Sequence, residues 1–303
     1  MKLLLFFIDG LGLGANNKFN PAVSFLEGIA GIPFCNCSLP AEFPEGVLSA
    51  ADASGGIPGL PQSATGQTML MCGVNAPAML GYHLTAFPNK KLVNIIKSRN
   101  ILSVLRNNGI TAAASNLYTE EFFLRREKLS KERGKNIFPV STLSILSSGT
   151  PVRYIQDYNK GKALFADLTN NTLRERGYEI PLITPEEAAG IMAGILDEND
   201  FVFHEYFVTD IYAHKKRFKD LERILKEINI FLRTLRKLTD PEETAILVVS
   251  DHGNCEYSLS SDHTRNPVPI LLLSRNAASR RIFRNITRLE NVKAGIIEYF
   301  GLN

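Results

Sequence analysis

The sequence predicts an α/β fold, a three-layer sandwich whose mostly parallel central sheet is covered by helices on both faces. Three observations predict it. Apolar runs such as "KLLLFFI", "AILVVS" and "VPILLL" carry no polar alternation, as strands buried on both faces do. Segments of helical period lie between the runs, the chain order expected of parallel strands joined by crossover helices. The residues able to do chemistry stand just past the strands, at the sheet edge where such folds bind ligands.

Length and composition agree with that reading. The chain has 303 residues, of which 45% are hydrophobic and 21% charged, enough apolar material for one large domain spanning 1–303. Its net charge is +3, with acids and bases mixed along the chain, so no basic stripe points to nucleic acid as a partner. No run approaches the roughly 20 apolar residues of a membrane span. The opening "MKLLLFFIDG" is interrupted by Asp9 and lacks the small-residue cleavage site of a signal peptide. Cys35, Cys37, Cys72 and Cys255 do not have zinc-site spacing and read as reduced thiols of a cytoplasmic protein.

The elements follow in order. Residues 2–8 form the first strand. "GLGLGA" (10–15) then matches G-x-G-x-x-A, but Asp9 beside it would repel a pyrophosphate and "NNKFNPA" does not open a helix. These glycines read instead as a turn that lets Asp9 face a cavity. A buried helix is expected over 64–73, with Ser63 and Thr65 at its start. Either hydroxyl there suits an N-cap, and either suits a nucleophile, because free N–H groups at a helix start favour an anion. One amphipathic helix covers 91–109 and stops at Gly109, followed by a strand over 110–115. Residues 117–165 are the least periodic and are expected to hold a small insertion over the sheet. A helix with Thr184 as N-cap spans 184–196. A strand covers 200–208, and a long helix with many i,i+4 charge pairs covers 215–238. Strands at 245–250 and 268–273 and a closing helix at 291–300 complete the chain.

The polar residues converge. Asp9 follows the first strand. Asp210 and His214, in "DIYAH", are spaced to share one helical face. Asp251 and His252 leave the strand ending at Ser250, and His263 follows in "HTRNPVP". Each of these is a weak signal alone; their common position past strands makes them a candidate metal site. Asn254 and Glu256 stand where they would orient the Asp251–His252 pair, and His204 is a candidate for the same supporting role.

Together the motifs "IDGLG", "QSATGQT", "DIYAH", "SDHGNCE" and "HTRNPVP" resemble the alkaline phosphatase superfamily, in particular the branch of cofactor-independent phosphoglycerate mutase and phosphopentomutase. The resemblance runs from residue 9 to 269 and implies an alkaline phosphatase-like sandwich with at most a small cap. It also implies two divalent cations, Mn²⁺ or Zn²⁺. One would be held by Asp210, His214 and His263, the other by Asp9, Asp251, His252 and the nucleophile. The phosphatases' Asp-Ser-Ala-Ala-Ser-Ala-Thr segment aligns without gaps and puts Ser63 in the nucleophile's place. A threonine run in phosphopentomutase-like enzymes keeps Thr65 open. The implied activity is transfer of a phosphoryl group from a small-molecule ester through a phospho-Ser or phospho-Thr intermediate. The space between His83 and Asp210 is short for a full mutase cap, and "GLPQSATGQT" departs from the mutase "GNSEVGH". Hydrolysis, as a phosphatase or phosphodiesterase, is therefore expected, with a compact phosphomutase as the alternative and a non-catalytic metal-binding relative as a further one.

Overall fold

A computed structural model describes residues 1–302. In chain order the elements are β1 (Lys2–Ile8), β2 (Ala41–Phe43), β3 (Gly46–Ala51), α1 (Ser63–Cys72), α2 (Ala76–Leu80), α3 (Lys90–Arg99), α4 (Ile101–Asn107) and β4 (Ala112–Ala114). Then come α5 (Glu120–Arg133), α6 (Val140–Ser148), α7 (Ile155–Tyr158), α8 (Asn171–Glu175), α9 (Pro185–Asp197), β5 (Phe201–Tyr206), α10 (Val208–His214) and α11 (Phe218–Leu238). β6 (Thr244–Val249), β7 (Val268–Leu273), α12 (Ala277–Arg284) and α13 (Asn291–Tyr299) end the chain.

The 7-stranded sheet has the order β2-β3-β7-β6-β1-β5-β4. β4, β5, β1 and β6 run parallel, with Leu3 opposite both Phe201 and Ala245. β1 is thus central and buried on both faces, which is why its sequence is apolar without alternation. Its odd and even residues feed different cores. Leu3, Leu5 and Phe7 join Met69, Ile96, Val140 and Ile296 on one side. Leu4, Phe6 and Ile8 join Met192, Ile228 and Leu232 on the other. On α11, Leu221, Ile224, Leu225, Ile228, Phe231, Leu232 and Leu235 form the buried stripe that seats the helix on the sheet.

Four expectations change. β7 runs antiparallel to β6, and the β2–β3 hairpin, which the sequence reading did not include, extends that edge antiparallel. The helix expected over 91–109 breaks at Asn100, whose backbone is extended at φ −65°, ψ 153°. Its Nδ2 donates to the Ile96 carbonyl and its Oδ1 accepts from Ser103 N–H, so one side chain ends α3 and caps α4. The strand expected to 208 ends at Tyr206, and α10 begins at Val208, bringing Asp210 into the first helical turn. Within 117–165, α6 is part of the core, with Val140, Leu143 and Ile145 buried, whereas α5 buries no residue.

Among the described residues, no helix is long and apolar enough to cross a membrane.

Candidate metal centre

Three neighbouring strands deliver the ligands to one edge. Asp9 leaves β1, Asp210 enters α10 just after β5, and Asp251 and His252 leave β6. Ser63, the first residue of α1, approaches from the helical layer, and His263 comes from the connection between β6 and β7. Close contacts hold the parts together. Gly66 of α1 packs so tightly on the ligand loop that a Cβ there would overlap the Asp251 carbonyl oxygen. A Cβ at Gly10, which has φ +72°, would sit 2.7 Å from Asp210 Oδ1. Besides the turn its sequence implied, the glycine-rich segment thus serves close approach at Gly10.

The side chains fall into two groups able to hold a metal ion, Asp210–His214–His263 and Asp9–Asp251–His252, with the ligand atoms in each within 4.8 Å of one another. In the first, His214 Nε2 lies 3.3 Å from Asp210 Oδ2, and His263 Nε2 lies 3.8 Å from Asp210 Oδ1. His214 Nδ1 is 2.7 Å from the Ser261 carbonyl oxygen and His263 Nδ1 is 2.7 Å from that of Pro61. A carbonyl only accepts, so each Nδ1 carries the proton and each Nε2 presents a lone pair. Those two Nε2 atoms face each other at 3.1 Å, an arrangement relieved by a cation between them.

In the second group, His252 Nε2 lies 3.3 Å from Asp9 Oδ1 and 3.5 Å from Asp251 Oδ2. Both carboxylate oxygens are buried without a hydrogen-bond partner. Ser63 Oγ is 3.1 Å from the same His252 Nε2. Thr65 instead donates its hydroxyl to the Gln62 carbonyl and is fully buried. The His252 ring stacks on His263 with centroids 3.7 Å apart, so the two groups adjoin.

Electrostatics mark the same place. Burial, then the negative charges of Asp251 and Asp210, push the Asp9 carboxyl well above its usual range. Burial and Asp210 do the same to Asp251. Burial works to raise Asp210 too, but His214, His252 and Asn254 outweigh it and hold it at about 2. Burial, with repulsion from His263, pulls His252 down to about 3. The centre is thus an excess of crowded carboxylates beside a neutral imidazole, the donor set of a divalent cation.

Supporting residues surround it. Glu256 Oε2 accepts from Gly12 N–H at 3.0 Å and Asn254 N–H at 2.9 Å, while Oε1 accepts from the Thr264 hydroxyl and from Asn266 Nδ2. Asn254 Nδ2 donates to Asp210 Oδ1 at 2.8 Å. Neither side chain bonds Asp251 or His252 directly: Asn254 supports Asp210, and Glu256 fixes the backbone beside the pair. His204 has no such role: the pleat of β5 turns it to the opposite face from Glu205, where it stacks on Phe6 and bonds Ser115 Oγ at 2.9 Å. Its neighbour Glu205 lines the cavity instead, accepts from Ser141 Oγ at 2.6 Å, and is raised by burial to about 7. Gln67, one turn into α1, reaches Asp9 Oδ2 at 3.4 Å.

The candidate metal centre opens into a cavity of about 860 Å³. Asp9, Ser63 and Gln67 line one part; Tyr118, Phe122, Arg125 and Arg126 from α5 and its approach line another. These residues of α5 escaped the sequence reading. A trace was present: two adjacent arginines in a helix with no apolar face to bury.

Residues 185–303 match the Metalloenzyme superfamily. That metalloenzyme match implies divalent-metal binding, and it bears out the resemblance read from the motifs. The 2,3-bisphosphoglycerate-independent phosphoglycerate mutase of Parabacteroides distasonis is 25% identical over 83 residues, covering 25% of this chain and 16% of the mutase. That of Paracoccus denitrificans is 24% identical over 129 residues, covering 40% of this chain and 25% of the mutase. The match thus spans a quarter or less of these curated relatives. The structure of the alkaline phosphatase from the Antarctic bacterium TAB5 aligns with a TM-score of 0.55 at 12% identity, over 100% of this chain and 98% of that one. The fold is therefore alkaline phosphatase-like.

Proposed function

We propose that the protein hydrolyses a small-molecule phosphate ester at a two-cation centre through a phosphoserine at Ser63. The observation that carries the reading is the position of Ser63 Oγ, 3.1 Å from His252 Nε2, at the first residue of a ten-residue helix and beside two three-residue ligand groups. Asp210, His214 and His263 would hold one cation, and Asp9, Asp251, His252 and Ser63 the other. Mn²⁺ or Zn²⁺ bound there supplies Lewis acidity and lowers the proton affinity of a coordinated hydroxyl.

The chain's own residues do the rest. Ser63 Oγ gives up its proton and attacks phosphorus; the bond to the ester oxygen breaks and the alcohol leaves with a proton. Water then attacks the phosphoserine, releasing inorganic phosphate and restoring the Ser63 hydroxyl. The N-terminal amides of α1 favour the negative charge that gathers beside Ser63. Arg125, Arg126 and Arg176 are cationic side chains of the cavity wall available to grip the non-bridging oxygens. The four free cysteines support a reducing, intracellular setting.

The kinship to mutases and the α5 cover support a second reading, in which Ser63 returns the phosphoryl group to another hydroxyl of the same molecule. A screen of phosphorylated metabolites with Mn²⁺ and Zn²⁺ in parallel, scoring free phosphate and isomers, separates the two. Free phosphate from the wild type and none from Ser63→Ala, with metal still bound, is the expected result. Isomer without free phosphate transfers the assignment to the mutase, and unchanged activity in Ser63→Ala removes Ser63 as nucleophile.

A further inference from the structure

We infer that the cavity selects phosphate esters whose alcohol portion is a flat aromatic group; this rests on the phosphoryl-transfer reading of the same site. Two sets of rings line the space. Tyr118 and Phe122 pack together with centroids 5.3 Å apart, and Phe165 and Phe207 meet edge to face at 6.3 Å. Both sets and Tyr178 face the cavity that Ser63 and Asp9 also line. Phe122, Tyr178 and Phe207 are half-buried, leaving ring surface open to an occupant.

The hydroxyls of Tyr118, Thr119, Thr142 and Tyr178 and the amide of Asn116 on that wall already have partners, which leaves its arginines as the groups open to an anion. Asn116 uses its amide on both backbone groups of Glu205. Thr142 Oγ1 meets the Tyr118 hydroxyl at 3.3 Å. The Tyr178 hydroxyl donates to Glu121 at 2.8 Å, the Thr119 hydroxyl accepts from Phe122 N–H, and Ser141 Oγ donates to Glu205. A polyol set against the rings would meet few free hydroxyl or amide partners, at the cost of desolvating part of its own hydroxyls. An aromatic ring needs none and gains stacking with the phenyl rings. Arg126 shows that this wall takes flat groups: its guanidinium lies 5.3 Å from the Phe122 ring centroid and 5.0 Å from that of Phe87.

The test compares esters that differ only in the ring. A nucleoside 5′-monophosphate and ribose 5-phosphate share the same leaving oxygen; benzyl and ethyl phosphate form the second pair. For the metal-loaded enzyme, kcat/KM is expected to favour the aromatic member by about tenfold or more, the usual worth of one base–aromatic stack. A preference in the first pair alone identifies a nucleobase, and one in both pairs identifies any aromatic ring. Phe122→Ala or Phe207→Ala should bring the ratio toward unity. Titration calorimetry of Ser63→Ala with the first pair supplies a readout independent of turnover, with tighter binding of the nucleotide expected. Ser63-dependent turnover with ratios near unity in both pairs overturns the inference and leaves the phosphoryl-transfer reading standing. Absence of turnover on every ester, with metal bound, overturns both.

Discussion

Glu256 belongs to neither ligand group, yet its two oxygens tie together the turn after β1, the segment holding Asp251 and His252, and the segment holding His263. Gln at this position keeps the shape but turns one acceptor oxygen into a donor facing the Thr264 hydroxyl and Asn266. Glu256→Gln is expected to weaken metal binding about 10- to 100-fold, the usual cost of losing an orienting partner, as read by titration with Zn²⁺. Thr65 offers the contrast. Its hydroxyl bonds only the Gln62 carbonyl, so Thr65→Val should retain turnover of an aryl phosphate, whereas Ser63→Ala should lose at least about a thousandfold. The candidate ligands were legible in the sequence because most stand just past a strand, as Asp9, Asp251 and His252 do, or at helical spacing from one that does, as His214 does from Asp210. His204 and Glu205 were not separable, because which of two adjacent strand residues faces the cavity depends on the pleat, and the apolar residues around them mark both faces as buried.

At the scale of elements, the contact of α1 with the ligand loop is the most demanding. Gly66 sits against the Asp251 carbonyl oxygen, and neither backbone can yield without moving Ser63 or Asp251. Gly66→Ala is expected to destabilise the protein by about 1–3 kcal/mol, the typical cost of overpacking, and to lower metal affinity, as denaturant melts with and without Zn²⁺ would report. The helix α1 itself was legible from its apolar run after Pro61. The break at Asn100 was not, because the apolar spacing of α3 continues into α4 and only the side-chain bonds of Asn100 reveal the turn. The reversed direction of β7 was equally hidden: a strand buried on both faces reads the same either way.

For the whole molecule, the buried carboxylates set how metal-free stability depends on pH. Burial raises Glu205 from 4.5 to about 7, so the folded state binds a proton that the unfolded state has released. Stability from this group is full below about 4.5 and is lost as pH rises through about 7, a loss on the order of 3 kcal/mol. Asp9 and Asp251 are shifted in the same direction. Asp210, held at about 2, acts oppositely, its contribution being lost only as pH falls from 3.8 toward 2. Urea melts of EDTA-treated protein should therefore show stability falling between pH 4.5 and 8, and Glu205→Gln should flatten part of that slope. Saturation with Zn²⁺ or Mn²⁺ should raise the melting temperature at pH 7.5, since binding at 100 times Kd contributes about 2.7 kcal/mol.

The place of β1 in the sheet carries a consequence for biosynthesis. "KLLLFFI" is the earliest strand of the sequence, but its partners begin at Phe201 and Thr244. Until both have left the ribosome, a wholly apolar strand has two unpaired edges and two uncovered faces, the kind of segment that pairs with other copies of itself. The centre of the finished sheet is thus an exposed liability of the nascent chain until β6 is made.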